Sequence, residues 1–319
     1  TGGAIIDYVG QKSVSIDFSK NFKNTFLNFD QYATRHSPVL MILLSGFEKL
    51  NLSDYVIRLI HLHLCLSLPL IFYYCLKEKY NFLSKEILIV LVGLIFISPT
   101  FRSLSIWPDS RVLGLVFFCL SIYFYIKFDN TKQFKYSLYN VASNALAAYF
   151  SPNFCVFSIF FYIYFVKYYG FFTIKNSTII LTNIIFALPA FYYVFILDIN
   201  FFMKSAGVGL SSENILFRNL FNQLLIIPTL FLFYITPFLI LRIIPINFEN
   251  YKYSLLISSS IFLVSIYFFD YKPEYTGGGF YLKLSNYIFG NNIFFYLISI
   301  FSLIILVQLV KQSYQSLFI

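Results

Sequence analysis

Residues 110–126 read SRVLGLVFFCLSIYFYI, and after Arg111 the run carries no charge and no proline. A helix needs about 17–25 predominantly apolar residues to cross the hydrocarbon of a bilayer. A membrane-barrel strand would instead alternate apolar and polar over about 10 residues. The segment therefore predicts a helix, which satisfies every backbone polar group within itself where no water is at hand.

Similar runs lie on both sides of it, at 54–76, 87–106, 137–150, 153–166, 177–197, 219–241, 253–269 and 291–310. Composition agrees: 59% of the 319 residues are hydrophobic and 12% are charged, and mean hydropathy is +0.73. A soluble domain carries about 25% charged residues, and one built from this chain would expose more apolar surface than soluble monomers tolerate. The expected fold class is all-α: a polytopic helical membrane protein with about nine spans. Segments 137–150 and 153–166 are short and meet at Ser151–Pro152. They read either as two helices joined by a tight turn or as one broken, re-entrant element. Residues 38–50 are too few to span and predict an amphipathic helix lying in the interface. Trp107 and some of the 27 tyrosines belong at headgroup level, where amphipathic rings are favoured.

The connections alternate in character. One set is short and basic: Lys77, Lys79 and Lys85; Lys127, Lys132 and Lys135; Lys167 and Lys175; Arg242 and Lys252; Lys311. The other set is longer and mixed, comprising 1–53, a turn near 107–110, 198–218 and 270–290. The greater density of cations puts the short set in the cytoplasm. Asp7, Asp17, Asp30, Glu48, Asp54, Asp109, Asp198, Glu213, Asp270 and Glu274 then fall on the outer side. One membrane module over 1–319 is expected, with 1–53, 198–218 and 270–290 as its outer loops. The chain opens on Thr1, and an initial span is expected to precede it. The net charge of +9 is spread over short loops rather than gathered in a patch, which argues against nucleic acid. Cys65, Cys75, Cys119 and Cys155 stand in apolar runs without metal-type spacing and read as buried free thiols.

Charge inside a membrane is costly and marks function. Almost none lies at mid-span here. Arg58 and the group Asp109–Arg111 open their spans at the outer boundary, and an Arg58 reaching up to headgroups is the favoured reading of that residue. An ion-coupled transporter would carry ionisable groups at the midplane. Polar groups gathered at one boundary suit an enzyme acting on a lipid-linked substrate. His61 and His63 are two apart and so point to nearly opposite faces of a helix; no metal site is expected. The Gly277-Gly278-Gly279 loop lacks the context of a phosphate loop and reads as a plain flexible loop or a flap.

Three stretches carry a resemblance. Arg35-His36-Ser37-Pro38-Val39-Leu40 opens an apolar helix; Val56-Ile57-Arg58-Leu59-Ile60 opens a long span; Ser105-Ile106-Trp107-Pro108-Asp109-Ser110-Arg111 opens another. Their order and common side resemble the GT-C-fold membrane glycosyltransferases, in the bacterial branch related to protein O-mannosyltransferases (family 39) and the lipid A aminoarabinose transferases. The resemblance covers roughly residues 1–130. It implies an enzyme that moves a sugar from a polyprenyl-phosphate carrier to a glycan, lipid or protein acceptor outside the cytoplasm, in a bacterial inner membrane. It implies an acidic residue near the start of the first outer loop, which matches Asp7. Where the family often has a second acid this chain has Tyr8, and Ser37 stands in place of a second proline. By that resemblance Asp7 is the expected general base, and Tyr8, Arg35, His36, Arg102, Asp109 and Arg111 are the expected substrate contacts. The carrier sugar is the donor, no cofactor is expected with certainty, and the need for a divalent metal is open. Two other readings stand beside it: an O-antigen-type polymerase or ligase, and a flippase or transporter of lipid-linked sugars.

Overall fold

A computed structural model describes residues 2–32, 34, 36–199, 213–244, 246, 251–271 and 279–318. Arg35, most of the expected outer loop 198–218 and the glycine-rich part of 270–290 lie outside the described residues. The described residues form helices joined by turns, with no strand among them. Among the described residues five helices are long and apolar enough to cross a membrane: Asp54–Lys79, Ser110–Thr131, Ile174–Ile196, Leu220–Ile240 and Ile293–Ser313. The chain is an integral membrane protein of all-α class.

Contacts divide the chain into two units, Thr1–Val208 and Gly209–Ile319. The first contains α1 (Gly2–Lys20), α2 (Phe22–Leu27), α3 (Pro38–Lys49), α4 (Asp54–Lys79), α5 (Lys85–Gly93), α6 (Pro99–Ile106), α7 (Ser110–Thr131), α8 (Phe134–Phe150), α9 (Phe157–Tyr169) and α10 (Ile174–Phe191). The second contains α11 (Glu213–Ile240), α12 (Tyr251–Tyr267), α13 (Gly279–Phe289) and α14 (Ile293–Phe318).

The stretch 1–53, expected as an outer loop, is largely helical. α1 buries Ala4, Tyr8, Gln11, Ser15 and Phe18, a stripe at spacings of three and four that marks one helix face. Gln11 and Ser15 interrupt this stripe, although Val14 is buried beside it, so it does not announce itself as an apolar face. α1 packs against α3, whose start is fixed by the Ser37 side chain accepting from the Val39 N–H, with Pro38 in its first turn. Pro fits there because its missing N–H would have no helical partner.

The expected span 87–106 is not a straight helix. α5 runs into a single 3₁₀ turn at Leu94–Ile97, and the chain bends by 72° between Lys85–Ile97 and Pro99–Ile106. Pro99 disfavours helical backbone at the residue before it. Ser98 is accordingly extended, at φ −65° and ψ 114°, and its hydroxyl caps the Phe101 N–H. The same physics acts at Ser151–Pro152, where a 3₁₀ turn over Pro152–Val156 separates α8, of 17 residues, from α9, of 13. α9 is short for a crossing normal to the membrane, and α8 and α12, with 17 residues each, stand at the lower limit. Against nine segments in the sequence, the described residues hold five full-length candidate spans, or six if the bent pair counts as one.

α7 lies between α4 and α8, and α8 also meets α9 and α10. The α7–α8 approach is close because Gly114 has no side chain. A Cβ there would stand 3.0 Å from Phe154 Cε2 and Ser151 Cβ, and 3.2 Å from the Ala147 carbonyl oxygen. Small residues at such crossings let dispersion contacts replace the hydrophobic drive that lipid cannot supply. Asn140 then donates across the same seam to the Ser121 carbonyl at 2.8 Å. In the second unit Leu225, Ile226, Leu282, Phe295 and Leu303 form the core. There Asn222 ties down Asp270, donating to its carboxylate at 2.8 Å and accepting its backbone N–H at 3.1 Å.

Of the four thiols, Cys65, Cys75 and Cys119 are buried and free as expected, whereas Cys155 is exposed. It sits on the 3₁₀ turn that Pro152 creates, and that turn rolls it out of the apolar face. The seam at Gly114 supplies a test. Gly114→Val forces α7 and α8 apart and is expected to destabilise by about 1–3 kcal/mol. At Gly10 an added Cβ meets nothing within 4 Å, so Gly10→Ala is expected to be neutral or stabilising by up to about 1 kcal/mol. Thermal unfolding of the two variants in detergent checks this; equal melting temperatures would contradict the seam.

Candidate functional site

The chain leaves α6 at Ile106 and enters α7 at Ser110. Pro108 restricts Trp107, which is extended at φ −105° and ψ 115°. Asp109 follows, also extended, and its Oδ1 accepts the Arg111 backbone N–H at 2.8 Å. An aspartate here satisfies one of the unpaired N–H groups of the first turn and complements the positive end of the helix dipole. Asp109 is only 1% exposed, and a buried carboxylate needs a counter-charge and full hydrogen bonding. Arg111 supplies both. Its Nε donates to Oδ1 at 2.9 Å and Oδ2 at 3.2 Å, and its Nη2 donates to Oδ2 at 2.7 Å. The same Nη2 donates to Asp7 Oδ2 at 2.8 Å. One guanidinium therefore joins two carboxylates that are far apart in sequence.

α4 holds this corner from the other side. Arg58 Nε donates to the Ile106 carbonyl at 3.2 Å, and His61 Nε2 lies 3.0 Å from the Leu104 carbonyl. The last carbonyls of a helix have no partner within it. Two side chains three apart on α4 thus cap the end of α6. The Arg58 guanidinium also lies 3.8 Å from the Trp107 ring centroid, a cation–π contact. Arg58, read in the sequence as a side chain reaching to headgroups, thus also has partners within the protein. His61 is buried and His63 exposed, in accord with their spacing.

α1 closes the third side. Tyr8 is 2% exposed, packs against Trp107 with centroids 5.7 Å apart, and donates to Asp54 Oδ1 at 3.0 Å. Burial, with that hydrogen bond, pushes the Tyr8 phenol well above its ordinary value, so at neutral pH it is a donor and not a base. Lys12, one turn on, is ion-paired with Asp54 and lies 3.8 Å from Glu48. Asp7, Tyr8, Asp54, Asp109 and Arg111 are thereby gathered where α4 and α7 begin.

The other expected contacts stand differently. His36 is half-buried at the lead-in to α3, its backbone N–H donating to Thr34 Oγ1 at 3.1 Å. Arg102 is exposed on α6 and has no side-chain partner among the described residues. Lys12, Glu48 and Asp54 were not among the sequence candidates. Tyr8 and Lys12 share a face at a spacing of four, a signal usable only once α1 is known to be a helix.

No protein-family model, curated protein or solved structure matches this chain. Among the described residues no group of three or more His, Cys, Asp or Glu side chains is placed to hold a metal ion. The cluster offers two carboxylates part-open to solvent, Asp7, with its side chain 25% exposed, and Asp54, 55% exposed and paired with Lys12, beside a guanidinium 44% exposed. It can take a proton from a hydroxyl and pair with an anion.

Two Asp109 variants separate cap from charge. Asp109→Ala loses both the helix cap and the partner of Arg111. Asp109→Asn keeps a capping oxygen, and Asn caps about as well as Asp. The alanine variant is therefore expected to be less stable than the asparagine variant by about 1 kcal/mol. Chemical or thermal unfolding in one detergent decides it; equal stabilities would show that the cap contributes nothing.

Proposed function

We propose that this protein is a membrane glycosyltransferase of GT-C type, passing a sugar from a polyprenyl-phosphate carrier to an extracytoplasmic glycan, lipid or protein acceptor. The observation that carries the reading is the pairing of Asp7 and Asp109 through Arg111 at the ends of two apolar helices. That end is the outer one if the dense lysines mark the cytoplasm. It is the depth at which a lipid phosphate sits. In the full reading nine segments cross the bacterial inner membrane, α8, α9 and α12 as short crossings, and the site opens to the periplasm.

The chemistry follows from the charges. In an inverting transfer the acceptor hydroxyl attacks the anomeric carbon, and a new C–O bond forms. The bond from that carbon to the phosphate oxygen breaks, and polyprenyl phosphate leaves with the electron pair. Asp7 takes the acceptor proton. The leaving phosphate gains charge and calls for a cationic partner. In the resting arrangement Arg111 holds Asp7 in an ion pair and occupies its Oδ2. A donor phosphate that draws Arg111 toward itself frees the carboxylate when substrate is present. Asp109, buried and paired, holds Arg111 within reach throughout, and Arg102, exposed on α6, is a second cation for the phosphate.

The test is sugar transfer in membranes containing the complete protein and radiolabelled polyprenyl-phosphate sugars. Asp7→Asn is expected to lower turnover by roughly 10²–10⁴-fold with an unchanged melting temperature. Turnover near that of the parent protein would refute Asp7 as base, and no transfer by the parent from any such donor would refute the reading.

A further inference from the structure

The opposite end of the first unit has its own organised surface. α7 ends at Lys132, whose backbone is left-handed at φ 55° and whose N–H donates to the Phe128 carbonyl. Its ammonium donates to Asp129 at 2.8 Å and lies 5.2 Å from the Tyr168 ring centroid. Tyr168 and Tyr169 are in edge contact, with centroids 4.9 Å apart, and Lys175 lies 5.3 Å from the Tyr169 ring. Lys135, at the start of α8, lies 5.1 Å from the Tyr136 ring. Two acids of this end are engaged, Asp129 by Lys132 and Tyr164 and Glu78 by Lys127. What faces outward is net positive: Lys77, Lys79, Lys85, Lys135 and Lys175 are exposed, against the exposed Glu86.

Beside these cations the α9–α10 turn projects an apolar tip. Gly170, at φ +83°, ends α9, and the Thr173 hydroxyl caps α10. Between and after them Phe172 is 95% exposed and Ile174 87%, and Phe171 is also exposed. A turn held at both ends by caps presents these side chains by construction. Apolar tips flanked by cations and tyrosines are what an interface of headgroups and acyl chains accepts, the rings and tips entering the acyl boundary and the ammonium groups meeting phosphates. A neutral interface would satisfy the tip and leave Lys135 and Lys175 without counter-charge.

We propose that this end is a binding surface for anionic phospholipid, with Lys135 and Lys175 meeting the headgroup phosphates and Phe171, Phe172 and Ile174 seated among the acyl chains. Electrostatic attraction of lysines to an anionic leaflet adds to such anchoring. The surface is independent of the cluster at Asp7 and of the function proposed for it.

The experiment uses the complete protein in a neutral detergent, titrated with phosphatidylglycerol, phosphatidylcholine or inorganic phosphate while thermal unfolding is followed. Phosphatidylglycerol is expected to raise the melting temperature by several degrees more than phosphatidylcholine does. The double variant Lys135→Gln/Lys175→Gln is expected to lose at least half of that difference. Lys135→Arg/Lys175→Arg is expected to keep it, as is Lys23→Gln, which removes an exposed charge on α2. Equal shifts with the two lipids, an equal effect of inorganic phosphate, or an undiminished response in the glutamine variant would each overturn the proposal. If the glutamine variant does not fold, Lys175→Gln alone is read in the same way, and an undiminished response there overturns it.

Discussion

The buried carboxylate of Asp109 is the constraint around which the first unit is arranged. Nothing else at the α6–α7 corner is so costly if left unpaired, since a lone ion in a dry setting is penalised by several kcal/mol. Its partner cannot come from far along α7, because a helix brings together only residues three or four apart or those at its own cap. Arg111, two residues on, reaches back over the cap and meets it with two donors. Once the guanidinium is fixed there, its remaining reach is directed outward. Asp7 on α1 occupies that direction, so the guanidinium fixed by one buried charge also meets a helix more than a hundred residues away.

Around this pair the rest is a matter of unfinished hydrogen bonding. α6 is eight residues long, so few of its carbonyls find partners inside it. Arg58 and His61 complete two of them from α4. Trp107, held extended by Pro108, has Arg58 on one contact and Tyr8 on another. Each of these interactions is modest alone: an exposed ion pair contributes about 0–1 kcal/mol and a cation–π contact about 0.5–2 kcal/mol. Together they hold three helices at one end, where lipid gives them no help.

Much of this was legible in the sequence, and the parts that were not share a cause. Apolar runs announced the long helices because a span must be apolar along most of its length whatever its neighbours are. Pro152 announced the break at 151–152, because a proline restricts the residue before it; Pro99 acts in the same way, but the apolar run across it read as one span. Asp109 before an apolar run announced a helix cap. α1 was hidden because Gln11 and Ser15 interrupt its buried face among Ala4, Tyr8, Val14 and Phe18, so its hydrophobic periodicity is weak. The bend of 72° was hidden because hydropathy measures how apolar a stretch is and not its direction. Asp7 and Asp109 were both singled out, but nothing in their spacing foretold that Arg111 would join them. The contact of Arg58 with Trp107 was likewise hidden, because that ring is 49 residues away in sequence.

The linking guanidinium also frames a conflict between stability and chemistry. As a bridge, Arg111 is best when both carboxylates are ionised and held. In the proposed transfer, where Asp7 accepts a proton, it is best when it can let go, because its hydrogen bond occupies a carboxylate oxygen that the acceptor must reach. The two demands fall on different carboxylates. Asp109 is enclosed and takes both Nε and Nη2, so it keeps the guanidinium in place even when the outer contact opens. Asp7 is held by one hydrogen bond, on a side chain a quarter exposed, where water or an incoming anion competes. The strong half of the bridge is structural and the weak half is exchangeable. That inequality lets one arginine fasten a helix corner and still leave a carboxylate open to displacement.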